Sequence, residues 1–389
     1  MTGSLASRIP ALKSTLHLSD SVLGRTLFAI ALGSVASLQV AGRVVRRFGS
    51  RRGTRAGAML AVGGLALSGA TANLAVVVIG LFSYGAGNSL MDVGMNSQAV
   101  IVEHSYRRPI MSSFHAMFSA GALAGAAGGA FAAHIELGQR AQYVLTAALC
   151  FILLNVAASM MTTHLDIAAP SAKTGSASTS TASPDHTARP TRSVRTTILL
   201  FGIIAFAAML SEGASADWSG VHLRDSLHWT ESAAARGFVV FQLFMTIGRT
   251  IGDRVIAALG PRTTLIRAST VAALGFGLGL VTHSGWTFVA GLGALGLGLS
   301  VIVPVVFSTA AAQPGHTGAA IARVSTIGYA GFLVGPPVIG QISQWSSTTW
   351  ALLLLPILCC TIGLLPLVVL PRTSTHLPGQ TINESVATN

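Results

Sequence analysis

Asn88, Asp92 and Asn96 stand four residues apart in an otherwise apolar stretch. In a helix that spacing puts all three on one face. A carboxylate between two carboxamides can take up a proton and can hydrogen-bond a polar solute. The same trio could instead tie neighbouring helices together. A second acidic stretch reads Glu212-Gly-Ala-Ser-Ala-Asp217-Trp218. Glu212 is a candidate proton carrier or one half of a salt bridge. Asp217 suits a gate or a structural contact, and Trp218 suits an anchor at a membrane interface better than a stacking platform. Arg25 and Arg236 each follow a hydroxyl N-cap, Ser19 and Thr230. They could pair with Asp217 or Glu212, or extend to lipid headgroups. Gln39 and Gln242 add polar groups to the same two stretches. His115 is a candidate pH-responsive group, with simple packing as the plainer reading. Nucleophile–base and metal-ligand spacings are missing, as is a Gly-x-x-x-x-Gly-Lys-Ser/Thr phosphate loop. Cys150, Cys359 and Cys360 lie in apolar blocks without redox spacing. Neither an enzyme nor a bound cofactor or metal is expected.

The elements that must hold these residues are set by composition. The chain has 389 residues, 51% hydrophobic and only 9% charged, where a soluble domain carries roughly 25% charged residues. Its mean hydropathy is +0.65. The apolar residues fall in blocks of the ~20 residues that cross a hydrocarbon core as a helix, not in the short alternating segments of a β-barrel. Eleven spans are predicted, at 22–42, 56–72, 75–101, 110–133, 141–163, 197–218, 233–257, 264–282, 286–312, 319–343 and 348–371. An ionisable group at mid-bilayer costs about 2.5–3.5 kcal/mol on insertion scales. Asp92 and Glu212 must therefore face a cavity, find a partner or be neutral. The start, MTGSLASRIP, lacks the basic-then-apolar pattern of a cleaved signal peptide.

The formal net charge of +12 would suggest nucleic acid in a soluble protein. Here the basic residues sit in short loops, and all but Arg8, Lys13, Arg25, Arg140, Arg224 and Arg236 fall on one side, Arg249 and Arg323 included. That side is predicted to be cytoplasmic. The stretch 166–195, rich in Ser, Thr, Ala and Pro, reads as a flexible cytoplasmic linker. It separates a bundle at 1–165 from a bundle at 196–371, with a cytoplasmic polar tail at 372–389.

The two bundles repeat one another. Leu16-His17-Leu18-Ser19-Asp20-Ser21 recurs as Leu227-His228-Trp229-Thr230-Glu231-Ser232 at an offset of 211. Gly42 and Arg52 recur as Gly252 and Arg262, and Gly121, Leu123 and Gly125 recur as Gly331, Leu333 and Gly335, both at 210. The second bundle opens with the span 197–218, whose counterpart would fall before residue 8. The first helix is therefore expected to be almost wholly absent, leaving little beyond Ser7-Arg8-Ile9-Pro10 and the loop after it.

Gly42-Arg-Val-Val-Arg-Arg47-Phe-Gly49-Ser-Arg51-Arg52 resembles the major facilitator signature Gly-x-x-x-Asp-Arg-x-Gly-Arg-Arg, with Arg46 in place of the acid. Its counterpart Gly248-Arg249-Thr-Ile-Gly252-Asp253-Arg254, followed by Gly260 and Arg262, keeps the acid. Asp92-Val-Gly-Met-Asn96 and the Glu212–Trp218 stretch are similar to fucose-permease-like, sugar-transporter-type carriers of the bacterial inner membrane. The resemblance implies an all-α membrane fold of two six-helix bundles, in which helices 1, 4, 7 and 10 surround a central cavity and the signature loops control a conformational switch. Parallel repeats joined by a central linker are the architecture of such carriers. It implies a multi-pass protein working by alternating access, usually as a monomer, with the bilayer, protons and a small-molecule solute as partners and no nucleic acid. Proton-coupled uptake of a sugar-like solute is the leading expectation, with proton-antiport efflux of hydrophobic compounds or a degenerate, non-transporting protein as alternatives. The glycines Gly121, Gly125, Gly128 and Gly129 should let helices approach closely, and Pro304, Pro336 and Pro337 should bend theirs.

Overall fold

The computed structural model describes residues 1–106, 111–160, 192–311 and 317–370. Arg107, Arg108, Lys173, most of the linker 166–195 and the tail 372–389 lie outside the described residues. Among the described residues the elements are helices, with no strand.

The chain starts with two short helices, α1 (Thr2–Ala6) and α2 (Ile9–Thr15). Little of a first helix was expected here, and neither short helix is long enough to cross a bilayer. Residues 3–6 and 9–12 are buried. Pro10, near the start of α2, has no N–H to continue the ladder, and the helix breaks at Ser7-Arg8. The segment is seated on α6 (Met111–His134), where a Cβ added to Gly3 would run into the Ala122 carbonyl and one on Gly125 would meet the Ser4 amide at 3.1 Å. Of the four glycines expected to permit close approach, Gly125 and Gly129 face this segment, whereas Gly121 and Gly128 face open space.

The rest of the first half is α3 (Asp20–Phe48), α4 (Ser50–Ala70), α5 (Leu74–Tyr106) and α7 (Gln139–Met160). The second half is α8 (Arg192–Val221) with a π-helical turn at His222–Ser226, then α9 (Glu231–Val281), α10 (Gly285–Leu299), α11 (Ile302–Ala311), α12 (Thr317–Trp345), α13 (Thr348–Leu352) and α14 (Leu354–Val369). Pro304 sits just after the break between α10 and α11, and the ring of a helical proline clashes with the carbonyl four residues back, here that of Ser300. Pro336 and Pro337 lie inside an unbroken α12.

Among the described residues seven helical stretches are long and apolar enough to cross a bilayer by length and composition: α3, α5, α7, α8, α9, α10–α11 and α13–α14. Within α9 the backbone turns at Gly260 (φ 73°, ψ 161°), which separates the two spans predicted at 233–257 and 264–282. The spans predicted at 56–72, 110–133 and 319–343 correspond to α4, α6 and α12, which are not among the seven. In α4 the reason is visible: Arg51, Arg52 and Arg55 occupy its first turns and small residues fill the rest.

The repeat is written into the backbone. Ser19 Oγ accepts from the Val22 N–H at 3.4 Å, and Thr230 Oγ1 accepts from the Ala233 N–H at 3.3 Å. His17 and His228, two residues before each cap, share a positive φ of 50° and 57°. Gly49 (φ 85°) and Gly260 (φ 73°) turn the chain at matching points. Within the first half α5 packs on α3 and α4, and α4 on α7; within the second, α9 packs on α10 and α14, and α8 on α12. The halves meet along α3–α12 and α6–α9. The core of the first half includes Leu5 and Leu12 beside Leu65, Leu81 and Tyr143.

Candidate functional site

The polar face of α5 lies where sequence spacing put it. Asn88, Asp92 and Asn96 are all half-buried. Tyr329 of α12 lies within electrostatic range of both Asp92, in the first half, and Glu212, in the second. Glu212, on α8, receives a bond from Arg249 Nη2 at 3.3 Å. Arg249 Nη1 donates to Ser119 Oγ on α6 at 3.2 Å. The arginine thus links a helix of its own half to one of the other. The Arg249 and Glu212 side chains keep 34% and 28% of their exposure, so the pair is only partly buried.

This corrects the placement of Arg249 among loop residues. It lies inside α9, eleven residues before the turn at Gly260. Trp218 is also corrected: it is fully buried, not at an interface. A Cβ on Gly340 would approach Trp218 Cζ2 at 3.1 Å, so the indole fills the contact between α8 and α12. Asp217, five residues past Glu212, points about 140° away around the helix. It is partly exposed and forms no ion pair among the described residues. Arg25 and Arg236 are exposed, and Arg25 Nε donates to the Ser21 carbonyl of its own helix at 3.2 Å. Neither meets Asp217 or Glu212 in any described ion pair. Gln39 is exposed and Gln242 buried. The side chain of His115 lies outside the described residues. Among the described residues no cluster of His, Cys, Asp and Glu could hold a metal ion.

A second polar cluster joins the halves at the end opposite the arginine-rich one. Arg8, only 2% exposed, meets Glu231 at 3.0 Å and donates to the Leu137 carbonyl at 2.7 Å. Lys13 bridges Asp20 of its own half and Asp225 of the other, at 2.5 Å each. Burial alone would lower the Lys13 ammonium, but the bonds it donates to the two carboxylates outweigh it and hold it above the ordinary lysine range. Arg224 donates to the Pro10 carbonyl at 3.0 Å and to Ser14 Oγ at 2.9 Å. Ser343 Oγ donates to Asp20. Nearby, Gly24 and Gly340 let α3 and α12 touch backbone to backbone. Lys13 and Arg224 are repeat counterparts, and so are Ser14 and Asp225. Each basic residue therefore reaches the residue that follows its counterpart in the other half. Sequence reading missed this cluster, although the recurrence of Asp20 as Glu231 was its visible signal.

The profile of the Major Facilitator Superfamily matches residues 1–215 and 200–388. The chain belongs to this superfamily. An uncharacterized MFS-type transporter of Yersinia pestis is 32% identical, the match covering 92% of this chain and 89% of that protein. The membrane protein MosC of Rhizobium meliloti is 32% identical, covering 87% and 79%. Among solved structures, a mutant of the nucleoside transporter NupG aligns with a TM-score of 0.76 at 11% identity, covering 95% of this chain and 96% of that one. The MFS transporter FucP, in its outward conformation, aligns with a TM-score of 0.56 at 16% identity, covering 96% and 98%. As a facilitator the protein is a membrane transporter of small solutes and not an enzyme. The facilitator signature positions sit at the arginine-rich end. Gly42 lies inside α3, Arg47 stacks over the Phe48 ring at 5.5 Å, Gly49 makes the turn and Arg52 opens α4. In the second half Gly248 packs against Ser300, while Asp253 and Arg254 are exposed ahead of Gly260 and Arg262. Asp253 makes no ion pair among the described residues.

Proposed function

We propose that this facilitator moves a small polar, sugar-like solute by proton-coupled uptake, in the cytoplasmic membrane of a bacterium and as a monomer. The observation that carries the reading is the partly exposed Glu212–Arg249 pair, tied to Ser119 of the other half, with Tyr329 in electrostatic range of both Glu212 and Asp92. Asn88 and Asn96, on the Asp92 face, supply donors and acceptors for hydroxyl groups. Asp92 or Glu212 carries the proton, and Arg249 is the counter-charge that senses whether Glu212 is ionised.

The arginine-rich end, with the linker 166–195 and the tail 372–389, faces the cytoplasm on the positive-inside rule. The described cross-half polar contacts crowd at the other end, and this supports an inward-facing conformation closed to the outside. Transport then alternates between this state and one in which the Lys13–Asp225 and Arg8–Glu231 bonds are broken.

The test is uptake into proteoliposomes of a panel of labelled monosaccharides and nucleosides under an imposed proton gradient. Asp92→Asn is expected to abolish gradient-driven uptake while sparing solute exchange. Unchanged gradient-driven uptake in that variant removes Asp92 from the mechanism.

A further inference from the structure

Between the first turns of α8 and the start of α12 a cleft of about 370 Å³ opens at the arginine-rich end. Its walls are Arg195, Ile198 and Leu199 on α8 and Arg323, Thr326 and Ile327 on α12. Each helix contributes the same stripe, an arginine followed by residues three and four further on, which share its face. Two guanidinium groups therefore stand at one level, with aliphatic side chains one turn deeper on both walls. Below that the cleft closes. A Cβ on Gly202 would meet the Ile327 side chain at 2.5 Å, and one on Gly328 would meet Met209 Sδ at 2.9 Å.

Both arginines are exposed, no carboxylate lines the cleft among the described residues, and neither arginine joins a described ion pair. Both helices also begin at this end, at Arg192 and Thr317, so their positive dipole ends add to the potential. Every wall residue belongs to the second half, and none belongs to the Asp92–Glu212–Arg249 cluster. A cationic rim above an apolar wedge matches a molecule with an anionic head and a hydrocarbon tail. Free phosphate would use the rim and leave the wedge without a function.

We propose that this cleft binds an anionic phospholipid of the surrounding leaflet, its phosphate on Arg195 and Arg323 and one acyl chain along Ile198, Leu199 and Ile327. Such a lipid would tie the start of α8 to α12 from within the second half. The inference rests on the membrane setting of the fold and is independent of which solute is carried.

The experiment is native mass spectrometry of the purified, delipidated full chain titrated with phosphatidylglycerol or phosphatidylcholine. One phosphatidylglycerol is expected to be retained at least tenfold more tightly than phosphatidylcholine. Arg195→Gln with Arg323→Gln should weaken it roughly thirtyfold, at the usual worth of two basic residues near an anionic headgroup. Thr326→Glu keeps both arginines but sets a carboxylate in the cleft, and should weaken it comparably. Melting in phosphatidylcholine should match the wild type for each variant, which shows that it is folded. Arg267→Gln, at the same end but outside the cleft, should retain the lipid. Equal retention of the two lipids overturns the proposal. So does retention in both cleft variants, or displacement of phosphatidylglycerol by millimolar inorganic phosphate.

Discussion

A guanidinium between two bundles of apolar helices needs a counter-charge, and Arg249 finds one in Glu212 at 3.3 Å and a neutral acceptor in Ser119 at 3.2 Å. Partly exposed pairs of this kind contribute only about 0.2–1 kcal/mol to stability. Glu212→Gln is therefore expected to shift the melting temperature by only a few degrees and to lower gradient-driven transport by at least tenfold. Reversing the pair, with Glu212→Arg and Arg249→Glu together, should recover part of that transport. If stability and transport fall in parallel and reversal recovers neither, the pair is only a strut. Asp92 and its two asparagines were legible because one helix supplies all three, and spacing alone defines their face. Arg249 was not. It lies in a signature motif, where a run of basic residues reads as loop, and its partner is 37 residues away on another helix. Trp218 misled for a related reason: hydropathy places the indole near the end of a span, whereas packing against Gly340 of α12 draws it into the core. Pairings across helices are set by the packing of the bundle, which no single stretch encodes.

At the scale of the helix, the boundaries that could be read were those marked by a local residue choice. Ser19 and Thr230 cap their helices through the hydroxyl, and the repeat announced both. The turn at Gly260 was visible as a gap between two apolar blocks, although the helix runs on at either side of it. The short α1 and α2 were not legible. A segment of fifteen residues carries too little periodicity, and it is held by the α6 glycines and the Arg8 and Lys13 bonds, which no local pattern reveals. Gly49 and Gly260 have φ of 85° and 73° with ψ near 154° and 161°, a region closed to side chains with a Cβ. Gly49→Ala and Gly260→Ala are each expected to lower stability by about 1–3 kcal/mol, the usual cost of forced backbone strain. Gly63 is the control, since it is helical and a Cβ there meets nothing within 4 Å. Gly63→Ala should be neutral or slightly stabilising, because alanine is the better helix former. Thermal melts of the three variants in one detergent compare them directly, and equal behaviour at all three sites would show that neither turn is strained.

For the whole molecule, the duplicated sequence produces a pair of cross-half contacts with approximate two-fold character. Lys13 of one half reaches Asp225 of the other, while Arg224 reaches back to Ser14. Because the two contacts are repeat counterparts, they form and break together when one bundle rocks against the other. The Lys13 bonds hold its ammonium above the ordinary lysine range. A group whose folded pKa is raised contributes stability that is complete below its unfolded value and lost as pH climbs through the folded one. The lysine contribution should thus be constant through neutral pH and fade only in strong alkali. Lys13→Gln removes it at every pH. With Cys150, Cys359 and Cys360 replaced by Ala, spin labels at Ala72→Cys and Thr282→Cys would report the separation of the halves at the end where these contacts lie. Lys13→Gln is expected to add a longer-distance population there, and Arg140→Gln, which loses only a bond to the Ala70 carbonyl within the first half, is not. Adding the transported solute should then shift the populations of the Lys13→Gln protein less than those of the wild type. An unchanged distance distribution in Lys13→Gln would mean that the backbone contact of Gly24 with Pro336 and Gly340, and not the charge network, holds that end shut.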